Sequence, residues 1–142
     1  PAGGKALGTG DVTILGRDIV HSVVNPLDRI SVAIHVYDGD FFVLSDVSKA
    51  LTRVEPATGK VKWTLQTPGS KKFEASPAGA DGKIYLMNFA GDVVVLDAQS
   101  GRILGQAAMG ETGDDFTRST IVAAHGNLFI RTNAKLFCIG RP

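Results

Sequence analysis

From residue 38 onward, the chain alternates short apolar runs with turns that contain glycine. The runs are rich in Val, Ile, Leu and Phe, residue types that favour β-strands. No segment keeps the apolar spacing of an amphipathic helix, and the glycines would interrupt one. The pattern therefore predicts an all-β fold of short antiparallel strands joined by tight turns.

The turns recur with a nearly constant period. The hairpin glycines Gly39, Gly82 and Gly126 lie 43 and 44 residues apart, each after Asp or His. A second turn ends at Gly59 and again at Gly101, 42 residues later. Glycine suits such turns because it accepts a positive φ without a Cβ clash. Two independent landmarks with nearly one period indicate an internal repeat.

Each full repeat is predicted to contain four strands. The first repeat has them near 30–37, 40–46, 49–55 and 60–66, and the second near 74–80, 83–89, 92–98 and 102–108. The third has three, near 119–124, 127–132 and 135–139. Four strands in about 42 residues make one blade of a β-propeller. Residues 38–142 are therefore predicted to form about two and three-quarter antiparallel blades.

The repeat resembles that of the quinoprotein (PQQ-type) propellers. Glu55-x-x-Thr58-Gly59-x-x-x-Trp63 is similar to their tryptophan-docking motif, while the second copy keeps Asp97-x-x-Ser100-Gly101 and has Gly105 where the tryptophan would be. The stretch Ser76–Tyr85 is also typical of such blades. The resemblance implies the fold, and a function either as a quinone-dependent dehydrogenase or as a non-catalytic scaffold. No set of charged channel residues for a quinone is found, so we do not predict bound quinone or any other assured cofactor.

Residues 1–37 do not repeat later in the chain and are predicted to be a distinct β segment that forms one folded unit with residues 38–142. The His21-x-x-x-Asn25 element and His35-Val36-Tyr37 resemble the C-terminal half of a thiol-dioxygenase-type cupin. That resemblance implies that His21 binds iron, with His35 and Tyr37 nearby as weaker catalytic candidates. In an oligomer, copies of His21 or His35 could also meet across a symmetry axis and bind Zn or Fe. The earlier His-x-His element of cupins is not in this sequence, and one ligand alone does not make a site.

Two explanations of this segment stay open. The simpler one is a chimera, designed, selected or accidental, in which two β fragments are spliced at a shared Asp-Gly hairpin. The other is a fragment of one natural propeller whose first residues resemble a cupin by chance. The first residue is Pro1 and not Met, which favours a processed or excised product.

An incomplete array of blades exposes apolar faces and strand edges. A strand near Asp11–Leu15 or Ile19–Val24 is predicted to complete the last blade. Two chains with three blades each would then form a six-bladed ring, which lies within the usual range. We therefore expect a homo-oligomer, with a dimer favoured, and allow for another protein as a partner.

Charge and composition exclude several classes. The net charge is +1 with mixed signs, so no basic face for nucleic acid is expected. No apolar run is long enough for a membrane helix, which predicts a soluble chain without membrane insertion and leaves its compartment unknown. The single cysteine, Cys138, is predicted to be a small buried hydrophobe.

The sequence favours a non-catalytic, self-associating binding or scaffold module. The alternative is a metal-dependent enzyme, hydrolytic or oxygenase-like, that uses His21 with His35 and Tyr37; a quinone-dependent dehydrogenase fragment ranks third. The pair Asp114-Asp115 is interpreted as part of a solvated loop, and His125 as a turn residue. The aromatic residues Trp63, Phe73 and Tyr85 are predicted to pack between blades.

Overall fold

The described part of the protein is built from β-strands and turns. A computed structural model describes residues 33–37, 39–45, 47–113 and 116–140, and these contain eleven strands. Within these ranges no helix is long and apolar enough to span a membrane. The all-β prediction is confirmed, and the strand predicted to complete the last blade from Asp11–Leu15 or Ile19–Val24 lies outside the described residues.

The strands form three antiparallel sheets that follow one another along the chain. The first sheet contains β1 (Ala33–Tyr37), β2 (Asp40–Ser45), β3 (Ala50–Val54) and β4 (Val61–Gln66). The second contains β5 (Ala78–Ala80), β6 (Lys83–Met87), β7 (Asp92–Asp97) and β8 (Ile103–Ala108). The third contains β9 (Val122–Ala124), β10 (Asn127–Arg131) and β11 (Leu136–Gly140). Each sheet is a simple meander, as the predicted blades require.

Two-residue hairpins join the first and second strands of the later sheets. Asp81 and Gly82 have φ values of 50° and 66°, and His125 and Gly126 have 50° and 76°. Two consecutive residues with positive φ form the type I′ turn, whose twist matches that of the flanking strands. Asp and His tolerate this conformation better than most residues. The role predicted for His125 as a turn residue is therefore confirmed.

A longer turn joins the third and fourth strands in the first two sheets, and the two copies share their hydrogen bonds. The amide of Gly59 donates to the Glu55 carbonyl over 2.8 Å, and that of Gly101 donates to the Asp97 carbonyl over 2.9 Å. The Thr58 hydroxyl donates to the Glu55 carboxylate over 2.6 Å. Equivalent contacts link Ser100 and Asp97. The repeat noticed in the sequence is thus a repeat of one hydrogen-bonded turn.

Every sheet has two faces because neighbouring residues in a strand point in opposite directions. We call the face that points along the chain toward the next sheet the forward face, and its opposite the backward face. The forward face of the first sheet and the backward face of the second share one apolar cluster. Its buried members are Phe42, Leu44, Leu51, Phe73, Ile84, Leu86, Val94 and Leu96. The second and third sheets share another, formed by Ala78, Tyr85, Met87, Val93, Ile121 and Ile130.

These two clusters define a first junction, between sheets one and two, and a second junction, between sheets two and three. The middle sheet supplies residues to both, so it is buried on both faces. Phe73 and Tyr85 are members of these clusters, which confirms that they pack between blades.

The segments that connect the sheets are also bonded to a turn of the second sheet. The Phe89 amide donates to the Lys72 carbonyl, and the Thr117 amide donates to the Phe89 carbonyl, each over 2.9 Å. Thr117 is buried, and its hydroxyl has no hydrogen-bond partner among the described residues. In the other connecting segment, the buried Thr67 hydroxyl donates to the Lys49 carbonyl over 2.7 Å. The two threonines therefore differ in whether their hydroxyls are bonded.

Candidate binding surfaces

The first junction is held by a tryptophan that lies against a glycine of the next sheet. Trp63 projects from β4, and its indole nitrogen donates to the Gln99 carbonyl over 3.1 Å. A Cβ added to Gly101 would lie only 2.7 Å from the Trp63 ring atom Cδ2. Glycine is therefore required at 101 both for its φ of 72° and for the close approach of the ring. The predicted packing role of Trp63 is confirmed.

An arginine crosses the same junction. Arg53 Nε donates to Asp40 Oδ2 over 2.6 Å within the first sheet. Its Nη1 donates to the carbonyls of Ala98 and Gln99 in the second sheet, each over 2.9 Å. Both Arg53 and Asp40 are buried, so these bonds compensate for the cost of removing the charges from water. Arg53 thus joins a carboxylate of one sheet to the backbone of the next.

Asp40 is the centre of this charged group. Lys62 Nζ lies 3.0 Å from Asp40 Oδ1, and Arg53 contacts the other carboxylate oxygen. The hydrogen bond from Lys62, together with the bond and the charge of Arg53, holds the pKa of the Asp40 carboxyl below its ordinary value despite the opposing effect of burial. The carboxylate is therefore ionised at neutral pH and pairs with both cations.

Sequence reasoning missed Arg53, although a signal for it was available. Leu51 and Arg53 are two residues apart in β3 and point to the same face of the sheet. A charge on a face that is otherwise apolar needs a partner, and Asp40 on the neighbouring strand supplies one. The strand register would have brought these residues close together.

The second junction lacks both contacts. Strand register makes Val95 the equivalent of Arg53, because Phe42 pairs with Arg53 and Tyr85 pairs with Val95. Gly105 stands at the tryptophan position, and a Cβ added there would meet nothing within 4 Å. Apolar packing of the second cluster holds this junction, without an indole or guanidinium crossing it at these positions.

The forward face of the third sheet is exposed. By register, Leu136 is the equivalent of Leu51 and Val93, which are 0% and 4% exposed, whereas Leu136 is 70% exposed. Val122 on the same face is 47% exposed. Among the described residues, no further sheet covers this face. Leu136 and Val122 give this face an exposed apolar surface of the kind that proteins use to bind one another, with Arg131, the cross-strand partner of Leu136, on the same face.

Cys138 lies on this face, and the prediction that it is buried is wrong. It pairs with Phe129 and is exposed. Its equivalents Arg53 and Val95 are buried or half-buried, because a following sheet packs over them. The apolar stretch around Cys138 correctly predicted a strand, but burial depends on the neighbour that covers it.

The predicted chemical sites fall largely beyond the described residues. His21 and the pair Asp114-Asp115 lie outside them, and so do the side chains of His35 and Tyr37, whose backbone forms part of β1. Within the described ranges, His, Cys, Asp and Glu form no group of three that could hold a metal ion. A Zn or Fe site at His21 stays a prediction, which elemental analysis of untagged protein would test.

A family model described as outer membrane protein assembly factor BamB matches residues 19–141. The match begins inside the segment that resembles a cupin, while the cupin resemblance and the proposed splice remain hypotheses. No curated protein sequence matches the chain.

Solved structures show the same fold at low sequence identity. A europium-containing methanol dehydrogenase aligns with a TM-score of 0.61 and 15% identity, over 70% of this chain and 19% of that one. BamB from Moraxella catarrhalis aligns with a TM-score of 0.56 and 16% identity, over 70% and 29%. The computationally designed protein Ika8 gives 0.61 and 13%, over 77% and 32%. The chain spans less than a third of the length of each of these structures.

Proposed function

The chain belongs to the family described as outer membrane protein assembly factor BamB, and from this premise we propose that it is a non-catalytic β-propeller module that binds proteins and associates with itself. The observation that carries the proposal is the exposed forward face of the third sheet. Leu136 is exposed on this face where its equivalents Leu51 and Val93 are buried, and Val122 adds exposed apolar surface beside it. Covering it would remove apolar surface from water, which is the main driving force for association.

The repeat indicates which surface of a second copy would cover this face. Within the chain, the forward face of each of the first two sheets is covered by the backward face of the sheet that follows. The backward face of the first sheet carries Phe41, Val43, Thr52 and Val54, each half-buried in the chain. We propose that this face of a second copy packs on the third sheet, head to tail. Two such contacts would close a ring of two copies, which is the dimer predicted from the sequence.

Light scattering over a range of protein concentrations tests this proposal. We expect the mass of a dimer, and we expect Leu136→Asp to give a folded monomer, because the contact would lose the buried leucine and would have to remove the carboxylate and its cross-strand neighbour Arg131 from water. A well-folded chain that remains monomeric at all concentrations would refute self-association.

A matched control is available in the first sheet. Val47 is 69% exposed, almost as much as Leu136, but it lies in the turn between β2 and β3. Val47→Asp should leave the dimer intact and should not change the circular dichroism spectrum. If both variants dissociate the dimer equally, a general loss of apolar surface, and not the third sheet, explains the effect.

A further inference from the structure

The outer edges of the first two sheets differ in how they are protected. Strands β4 and β8 are both last in their sheets, so each has an edge that no described strand pairs with. Such edges invite pairing with other chains, and proteins often protect them with charged residues or bulky cover. Strand β4 carries Lys62, which is bonded to Asp40, and Trp63, which packs on the next sheet. This edge has both forms of protection.

Strand β8 has neither form of protection. It contains no charged residue and no proline, only Ile103, Leu104, Gly105, Gln106, Ala107 and Ala108. Leu104 is 43% exposed, and the three residues after Gly105 are also exposed. Small, uncharged side chains let another backbone approach closely. The edge of β8 therefore offers a row of backbone groups with little to keep a second strand away.

A cleft lies beside this edge, on the backward side of the second sheet. Its volume is about 200 Å³, enough for one side chain, and it is lined by Pro68, Gly69, Asn88, Asp92, Val94, Gln106, Ala107 and Ala108. Gln106 pairs with Val94, and Ala108 pairs with Asp92, so the strand and the cleft share these residues. An added strand would direct alternate side chains toward the cleft.

The cleft has one charged residue in its lining. Asp92 Oδ2 accepts a hydrogen bond from Asn88 Nδ2 over 2.9 Å. The side-chain oxygen Oδ1 of Asn88 in turn accepts from the backbone amides of Ala90 and Asp92 over 3.0 and 2.9 Å. These bonds fix the orientation of the carboxylate before any ligand binds. A side chain of opposite charge, Lys or Arg, matches it best.

We propose that the edge of β8 binds an extended segment of a partner protein as an added strand, with a Lys or Arg side chain of that segment in the cleft beside Asp92. Backbone hydrogen bonds supply the affinity and the cleft supplies the selectivity, as in other cases of strand addition. This site is separate from the third sheet and does not depend on self-association.

Fluorescence anisotropy with a synthetic peptide tests the proposal. The probe is a β-forming peptide of about six residues, the length of a typical strand, whose only charged side chain is a central lysine. We expect saturable binding that weakens at least tenfold when the lysine is replaced by glutamate. Two further peptides carry N-methyl groups on alternate backbone amides, one on the odd-numbered and one on the even-numbered residues. Only the peptide whose methyl groups face β8 should lose binding. Equal affinity of both methylated peptides and the unmethylated peptide would overturn the proposal.

Variants of the chain separate the edge from the cleft. Asp92→Asn should weaken binding of the lysine peptide about fivefold. In this variant the lysine and glutamate peptides should bind with similar affinity, and an unchanged preference for lysine would overturn the role of Asp92. Alternate amides of a strand point to opposite sides. Of the two variants Gly105→Pro and Gln106→Pro, one therefore loses only an amide that points away from β7. That variant should keep the pairing with β7 and should not bind the peptide. Leu136→Asp should bind the peptide as the parent chain does, whether or not it dissociates the dimer.

Discussion

The first and second junctions both join consecutive antiparallel sheets, but their side-chain chemistry differs. At the first, an indole and a guanidinium cross from one sheet to the next and bond to the carbonyl of Gln99. At the second, Gly105 and Val95 occupy the same positions, and apolar packing is what remains. The blade geometry is therefore compatible with junctions that are strongly or weakly bonded. Turns and alternating apolar faces build each sheet, and the polar crossing contacts are additions made at one junction.

The strongest test of this contrast is the removal of the indole. Trp63→Ala should lower the free energy of unfolding by about 3 kcal/mol, because it removes a large ring that packs on Gly101 and Phe42. Chemical denaturation followed by circular dichroism measures the change. Gly105→Ala, at the equivalent position of the second sheet, should change stability by less than about 0.5 kcal/mol. Similar effects of the two substitutions would remove the distinction between the junctions.

Two glycines in equivalent turns separate backbone conformation from the close approach of the ring. Gly59 and Gly101 have φ values of 70° and 72°, but only Gly101 has Trp63 within 4 Å of an added Cβ. Gly59→Ala should cost about 1 kcal/mol for the left-handed conformation alone. Gly101→Ala should cost about 1–2 kcal/mol more, because the methyl group displaces the indole. Thermal unfolding of both variants gives the difference, and equal costs would show that the ring moves freely.

Acid should weaken the first junction through Asp40. Because the pKa of this carboxyl is lowered in the folded chain from 3.8, its stabilising effect is complete above that value and is lost as the pH falls through the folded-state pKa. Melting temperatures measured between about pH 6 and pH 2 should therefore fall less steeply in Asp40→Asn than in the parent chain. Asp97 has a lowered pKa mainly because of hydrogen bonds from Ser100, so Asp97→Asn should remove a separate part of the slope. An unchanged slope in Asp40→Asn would contradict the assignment.

The smallest expected changes in stability come from two threonines in the connecting segments, and they have opposite signs. Thr117→Val should raise the free energy of unfolding by about 1 kcal/mol, because it removes a buried hydroxyl that has no partner among the described residues. Thr67→Val should lower it by about 1 kcal/mol, because that hydroxyl donates to Lys49. Denaturation curves of both variants provide the comparison. A loss of stability in Thr117→Val would show that its hydroxyl is bonded.

The sequence predicted the sheets well because their determinants are local. Gly82 and Gly126 mark turns that need positive φ, and the residues between the turns alternate or are fully apolar. All eleven strands of the described residues follow from these signals, and their ends differ from the predicted ones by at most four residues. The tryptophan at 63 was also predictable, because its motif includes the turn that precedes it.

Contacts between sheets were harder to predict, because they depend on residues far apart in the chain. Arg53 reaches Gln99, 46 residues away, and no local pattern announces that pairing. Cys138 was expected to be buried because its neighbours are apolar, yet exposure is decided by whether another sheet packs over its face. For the same reason, the sequence did not predict which residues form the exposed face of the third sheet.

The position of Cys138 also has a practical consequence. It is the single cysteine of the sequence, and its thiol lies on the surface that we propose a second copy covers. Alkylation by a maleimide reagent can therefore report the occupancy of that surface in the unmodified chain. The rate of labelling should fall as protein concentration rises, and Leu136→Asp should restore it. A residue that seemed chemically inert in the sequence thus becomes a native probe of assembly.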